Sequence, residues 1–256
     1  MKKFLGVNIH SNIQIEFEEY VRYGGFPGSL VYENYENKIS YISNIISDIY
    51  EKDIKANKKI KNSESFQAIQ KFIVNNFGTQ FSATSIKKYF MSLGQNMDIR
   101  TINNYIQLLE NAKIIYRCQG FDIKSKNALK NERKYYLADT SIYFTQNTDN
   151  RLHYGPILEN ILYHYLLSKD YQLSVGKIGK FECDFIARKG LEDYFYIQVT
   201  KNMENELTFE REVRGLKAIK ELYPRYIFTM DFTFQKNVEG IMIENIINFI
   251  SENREL

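Results

Sequence analysis

Two stretches place polar side chains where a one-sided sheet should be apolar. Lys180-Phe181-Glu182-Cys183-Asp184-Phe185-Ile186-Ala187 and Tyr194-Phe195-Tyr196-Ile197-Gln198-Val199-Thr200-Lys201 both read as strands. Strand side chains alternate between faces. Phe181, Cys183, Phe185 and Ala187 then share one face, and Glu182 and Asp184 share the other. Gln198 and Thr200 pair in the same way opposite Phe195, Ile197 and Val199. Asp is depleted in strands, which favours a working Asp184 over an ordinary exposed one. Magnesium is satisfied by one or two carboxylates plus waters. Phosphodiester cleavage needs such an ion to polarise the phosphate and supply hydroxide, usually with a lysine near the attacking water. Glu159 sits about 100° from Leu158 at the edge of a helical apolar stripe, where it could aim across a sheet edge. A solvated or ion-paired Glu159 is an equal account. Gln198 can offer an uncharged carbonyl oxygen to a metal or hydrogen-bond to Asp184. Thr200 carries no charge, and Lys201 is one residue out of phase. A base from Lys180, Arg211 or Arg214 would have to migrate in.

Periodicity divides the chain into three regions: a helical segment over 1–61, a second unit over 62–150 and a third over 151–256. In the first, Ile15–Val21 leads into Gly24-Gly25-Phe26-Pro27-Gly28, and a helix from about Asn37 carries Ile42, Ile45, Ile46 and Ile49. In the second, one helix carries Phe66, Ile69, Ile73 and Phe77. Another starts at Ser82 as N-cap, with Phe81 and Ile86 as a hydrophobic staple. A third begins at Asp98 with Ile99, Ile102, Ile106, Leu109 and Ala112 inward. Strands over 113–121 and 133–139 follow, joined by a loop. Three helices and a hairpin make the winged helix-turn-helix plan. The third region reads as helix, three strands, helix, strand and a closing helix over 241–250, a mixed sheet flanked by helices. The fold class is therefore α/β.

The loop between the hairpin strands holds Lys124, Lys126, Lys130, Arg133 and Lys134 against Asp122 and Glu132. Such a wing would sit against phosphates; a solvated loop in a lysine-rich chain reads nearly as well. The third helix exposes Arg100, Asn103, Asn104 and Gln107, groups that can read base edges. The polar face of any amphipathic helix fits these residues slightly better.

Composition bounds the rest. A hydrophobic content of 44% supports a real core. The net charge of +3 is too small to argue for nucleic acid without clustering. No apolar run approaches a membrane span and no signal peptide is read, so a cytoplasmic protein without membrane contact is expected. Cys118 and Cys183 lie in apolar strand patterns and read as buried free thiols. No P-loop motif occurs, so the chain should not bind ATP by that route.

The chain resembles the C-terminal region, itself a domain of unknown function, of many prokaryotic AAA-type ATP-binding proteins. The resemblance runs in order through Tyr20-Val21-Arg22-Tyr23-Gly24-Gly25-Phe26-Pro27, Phe121-Asp122-Ile123-Lys124, Lys134-Tyr135-Tyr136-Leu137-Ala138-Asp139 and Leu158-Glu159-Asn160. It continues through Glu182-Cys183-Asp184-Phe185, Tyr196-Ile197-Gln198-Val199-Thr200, Phe209-Glu210-Arg211-Glu212 and Tyr223-Pro224-Arg225-Tyr226. It implies a lid-like helical segment, a winged helix and a PD-(D/E)XK (restriction-endonuclease-like) domain. In that scheme Glu159 is the helix carboxylate and Asp184 the first-strand metal ligand. Gln198 and Thr200 occupy the D/E and K positions. Magnesium at Asp184 and Glu159 is the one cofactor implied. Losing an acid–base group typically costs ~10²–10⁴-fold in rate, so a DNA-associated module with a degenerate, inactive site is the first expectation. An active magnesium-dependent endonuclease is the second. A protein-interaction domain for a separate P-loop ATPase is the third. The family's ATPase domain is itself absent from the chain. Homo-oligomerisation is left open.

Overall fold

The computed structural model describes residues 9–54, 60, 62–146, 153–179, 181–190, 193–232 and 237–256. Among them, α1 (Ile9–Tyr23), a 3-10 turn (Pro27–Val31) and α2 (Tyr35–Ile49) come first. Asn34 caps α2 by accepting from the Glu36 amide, and Ile42 and Ile46 fill its buried stripe. Then follow α3 (Ser63–Asn75), α4 (Ala83–Ser92) and α5 (Ile99–Asn111). Ser82 and Ser85 form a reciprocal capping box on α4, and Asp98 caps α5. Ile69, Ile86, Ile102 and Leu109 are fully buried, whereas Tyr89, Leu93 and Ile99 of the expected stripes remain exposed.

The strands are β1 (Ile115–Asp122) and β2 (Asn127–Leu137), then β3 (Gln172–Ile178), β4 (Phe181–Lys189) and β5 (Asp193–Val199). They end with β6 (Arg225–Thr229), β7 (Asn237–Val238) and β8 (Ile241–Asn245). The short α6 (Ser141–Gln146) and the long α7 (Tyr154–Ser168) separate β2 from β3. Helix α8 (Glu206–Lys217) joins β5 to β6, and α9 (Ile246–Ser251) follows β8. All eight strands form one mixed sheet in the order β2-β1-β3-β4-β5-β6-β8-β7.

That order carries the sheet across the expected boundary at residue 150. β1 pairs with β3 in parallel, Gln119 with Ser174 through Asp122 with Lys177. The hairpin tip is docked rather than free: the Ile123 amide donates to Lys177 O, and its side chain is buried in the cluster under α8. The basic loop read over 122–134 is also shorter than expected. Its turn is Ile123–Lys126, and Lys130, Arg133 and Lys134 belong to β2. The helix read over 241–250 is a second correction. Ile241 and Ile243 alternate into the core as strand residues paired with β6, and the Asn245 side chain then caps α9.

Gly24 explains how the N-terminal helices meet this sheet. Asp139, just past β2, accepts from the Gly25 amide at 2.7 Å and the Ser141 amide at 2.9 Å. Gly24 has φ +69°, and a Cβ there would lie 1.7 Å from Asp139 Oδ1. Gly24→Ala should therefore lower stability by about 2 kcal/mol, from left-handed strain plus displacement of Asp139. Thermal unfolding checks this; an unchanged Tm would contradict it.

Candidate functional site: a lysine among buried carboxylates

Strand β4 is buried along Cys183–Ala187, so α7 covers one face of it and α8 the other. A bulge sets which residue meets which face. Ser174 pairs with Ile186 and Gly176 with Cys183, so Val175 alone stands opposite Asp184 and Phe185. Gly176 permits the close approach: a Cβ would meet Cys183 Cβ at 3.0 Å. The strict alternation expected for β4 fails here. Cys183 packs with Ile186 in the α8 cluster, while Phe185 and Ala187 join the larger core with α7.

The bulge also interrupts the ladder, and side chains take over its hydrogen bonds. Pairing of β4 with β5 runs only from Phe185–Ile197 to Lys189–Asp193. Beyond it, the Val199 amide donates to Asp184 Oδ2 at 2.9 Å, and the Asp184 amide to Gln198 Oε1 at 3.4 Å. Gln198 is also bonded to the Glu212 carboxylate of α8. A carboxylate at 198 would bring a further negative charge to Asp184 and Glu212; the amide avoids this.

Helix α7 brings Glu159. Its neighbour Asn160 clips the helix to β2, accepting from Leu137 N at 2.7 Å and donating to Leu137 O at 3.0 Å. Glu159 Oε2 then accepts from Tyr136 Oη and from Lys134 Nζ, each at 3.0 Å. The same ammonium reaches Asp184 Oδ1 at 3.2 Å and Glu182 Oε1 at 2.8 Å. Gln80, in the link between α3 and α4, bridges to Lys134 and donates to Glu182 Oε2 at 2.9 Å. In a flat sheet three interstrand steps would separate β2 from β4 by about 14 Å. The contact therefore requires a coiled sheet, and register shifts at Gln119/Gly120 and Ser174/Gly176 lie on the strands between.

Lys134 is 5% exposed, Asp184 5% and Glu159 9%; Glu182 forms the exposed lip. Burial acts to lower the Lys134 pKa, but Asp184, Glu159 and Glu182 together outweigh it and hold the ammonium charged. Burial first, then the Asp184 charge, pushes the Glu159 carboxyl up to about 8, against Lys134 and Tyr136. Burial likewise raises Glu212, opposed by Arg211, which pairs with it at 2.6 Å. Burial drives the Cys118 thiol up to about 12, which makes it inert.

The structure thus gathers Glu159, Asp184 and Gln198. Thr200 is buried apart, its hydroxyl donating to Asn202 O at 3.3 Å. Lys201 lies over the Tyr154 ring, Arg214 pairs with Glu210, and Lys180 falls outside the described residues. The cation comes instead from Lys134, which sequence grouped with the phosphate-facing lysines. Lys134 and Glu212 were not among the residues singled out for this site. The signal for Lys134 was its place two residues before Tyr136 in an apolar strand. Of the other basic residues, Lys124 and Lys126 are exposed in the turn, which Asp122 pins by accepting from Ser125 N. Arg133 is half-buried and bonded to Tyr135, and the Lys130 side chain lies outside the described residues. Arg100, Asn103, Asn104 and Gln107 form one exposed stripe on α5.

Among the described residues, no group of three or more His, Cys, Asp or Glu side chains is arranged to hold a metal ion. Asp184 Oδ1 and Glu159 Oε2 are committed to an ammonium, and Asp184 Oδ2 to an amide. Magnesium does not fit beside that charge. Nor, among these residues, is any helix long and apolar enough to cross a membrane.

Two outcomes follow. Lys134→Met should destabilise the fold by roughly 3–5 kcal/mol, because it leaves buried carboxylates uncompensated; chemical denaturation measures this, and a loss under 1 kcal/mol would contradict it. Glu159 binds its proton more tightly folded than unfolded. Its contribution is full below about 4.5 and is lost as pH rises through about 8. Glu159→Gln should flatten the fall in stability across that window; an identical pH profile would count against the buried, raised carboxyl.

The comparisons with known proteins are consistent in their reach. An uncharacterized protein of Haemophilus influenzae is 29% identical over 234 residues, covering 91% of this chain and 57% of its own length. An uncharacterized protein of Methanocaldococcus jannaschii is 25% identical over 213 residues, covering 80% of this chain and 46% of its own. The chain spans about half the length of these curated relatives. No solved structure matches. A family profile described as a domain of unknown function, DUF8612, matches residues 14–151, more than half of the chain, and the chain belongs to that family.

Proposed function

We propose that this chain is a DNA-associated module of the AAA-type ATPase family whose nuclease-like site does not cleave. One observation carries the second half of that reading: Asp184, Glu159 and Lys134 are buried against one another. Among the described residues, Asp184 and Glu159 are covered and already paired with an internal ammonium, which disfavours a scissile phosphate there. The order α7, β3, β4, β5, α8, β6 is compatible with a PD-(D/E)XK scaffold, and α3 to β2 with a winged helix. The DNA half rests on exposed Lys124 and Lys126 at the hairpin turn and the Arg100, Asn103, Asn104, Gln107 stripe on α5. Lysines at such a turn would meet phosphates, and the amides would face base edges. The greater length of the relatives leaves room for a P-loop ATPase domain or partner.

A second reading, a protein-contact domain for a separate ATPase, draws on Leu30 and Val31, both strongly exposed side by side after α1. The two readings part on one binding experiment. Duplex DNA titrated by fluorescence anisotropy should bind with a steep salt dependence, and Lys124→Ala/Lys126→Ala should reduce the log–log salt slope by about 2. An unchanged slope would remove the turn from the interface. No affinity at physiological salt, with co-purification of a P-loop partner, would favour the second reading. Supercoiled plasmid should survive magnesium or manganese; nicking abolished by Asp184→Ala would overturn the non-cleaving site.

A further inference from the structure

We infer that Lys134 is the resident cation of the Asp184–Glu159 site and keeps divalent metal ions out of it. The inference rests on the reading of that site as non-cleaving and adds its cause. As they stand, the described residues form no group of three metal ligands, but Glu159 of α7 and Glu182 and Asp184 of β4 each reach the same Lys134 nitrogen. A hard divalent cation takes such oxygens at about 2.0–2.6 Å. Here they meet a nitrogen at 2.8–3.2 Å, hydrogen-bond distances for an ammonium. Like charge bars a second cation from sharing the oxygens. The nearby alternatives are engaged elsewhere: Arg211 holds Glu212, Arg214 holds Glu210, and Lys201 lies over Tyr154.

The tether makes this cation unlike a bound metal. Lys134 reaches the site from β2, three strands away from β4, and Gln80 fixes its neighbourhood by bridging to Lys134 and bonding Glu182. The charge therefore arrives only when the hairpin has joined the sheet, and it cannot be removed by a chelator. The same ammonium binds residues on both sides of the expected boundary at residue 150. The cation among these oxygens is thus covalently attached rather than exchangeable.

The test compares wild type and Lys134→Ala by thermal unfolding with EDTA or Mn²⁺, and no DNA is present. Wild type should show no Mn²⁺-dependent shift. Lys134→Ala should melt lower in EDTA and recover by about 4 °C at about ten times the dissociation constant. Adding Glu159→Gln to that variant should abolish the recovery. A folded Lys134→Ala chain that takes up no Mn²⁺ would overturn the inference. Should Lys134→Ala fail to fold, Mn²⁺ paramagnetic resonance on wild type decides. No bound equivalent supports the inference, and a bound equivalent lost in Glu159→Gln overturns it. Mn²⁺ uptake at this site by wild type without plasmid nicking would sink this inference alone, and absence of DNA binding would leave it standing.

Discussion

One ammonium makes the interior of this protein tenable. Burying a carboxylate without a counter-charge costs more than a fold of marginal stability can absorb. Here Asp184 and Glu159 are buried within reach of each other, and only Lys134 stands between them. The geometry around them serves that contact. Asn160 fixes α7 on β2, Gly176 lets β3 and β4 approach, and the bulge at Asp184–Phe185 turns both side chains toward α7. The contact with Lys134 also ties the hairpin to β4, alongside the β1–β3 pairing, so electrostatics and topology share one residue.

The bulge gives the polar residues of β4 and β5 a structural account as well as a chemical one. An extra residue in a strand leaves ladder donors without their usual acceptors. Asp184 takes the Val199 amide, and Gln198 takes the Asp184 amide while bonding Glu212. The amide at 198 thus fits its surroundings better than the carboxylate a metal site would want. Burial and then the Asp184 charge push the Glu159 carboxyl up, and Lys134 and Tyr136 oppose them.

Local chemistry was legible in the sequence where the signal is local. Ser82 and Asp98 cap the helices they were expected to start, and the apolar stripes of α3 and α5 are largely buried. Glu159 and Asp184 are brought together by the phase of α7 and by the β4 bulge, and Gln198 meets the Asp184 amide and Glu212. The failures are non-local. The β4 bulge exists only in its pairing with β3, so nothing in residues 180–187 announces it. Helical spacing among Ile243, Ile246, Ile247 and Ile250 disguised the strand Ile241–Asn245, whose partner is β6. Lys134 was grouped with the phosphate-facing wing lysines because a run of lysines resembles a basic loop. Its burial is decided by a carboxylate fifty residues away.

The central claim is that a lysine, not a metal, occupies the acidic site. A crystal grown with Mn²⁺ and recorded at the manganese absorption edge tests it most directly. The account predicts continuous side-chain density from Lys134 to a nitrogen between Glu159 and Asp184, with no anomalous peak there. A peak within about 2.6 Å of Asp184 Oδ1, with Lys134 turned away, would contradict it.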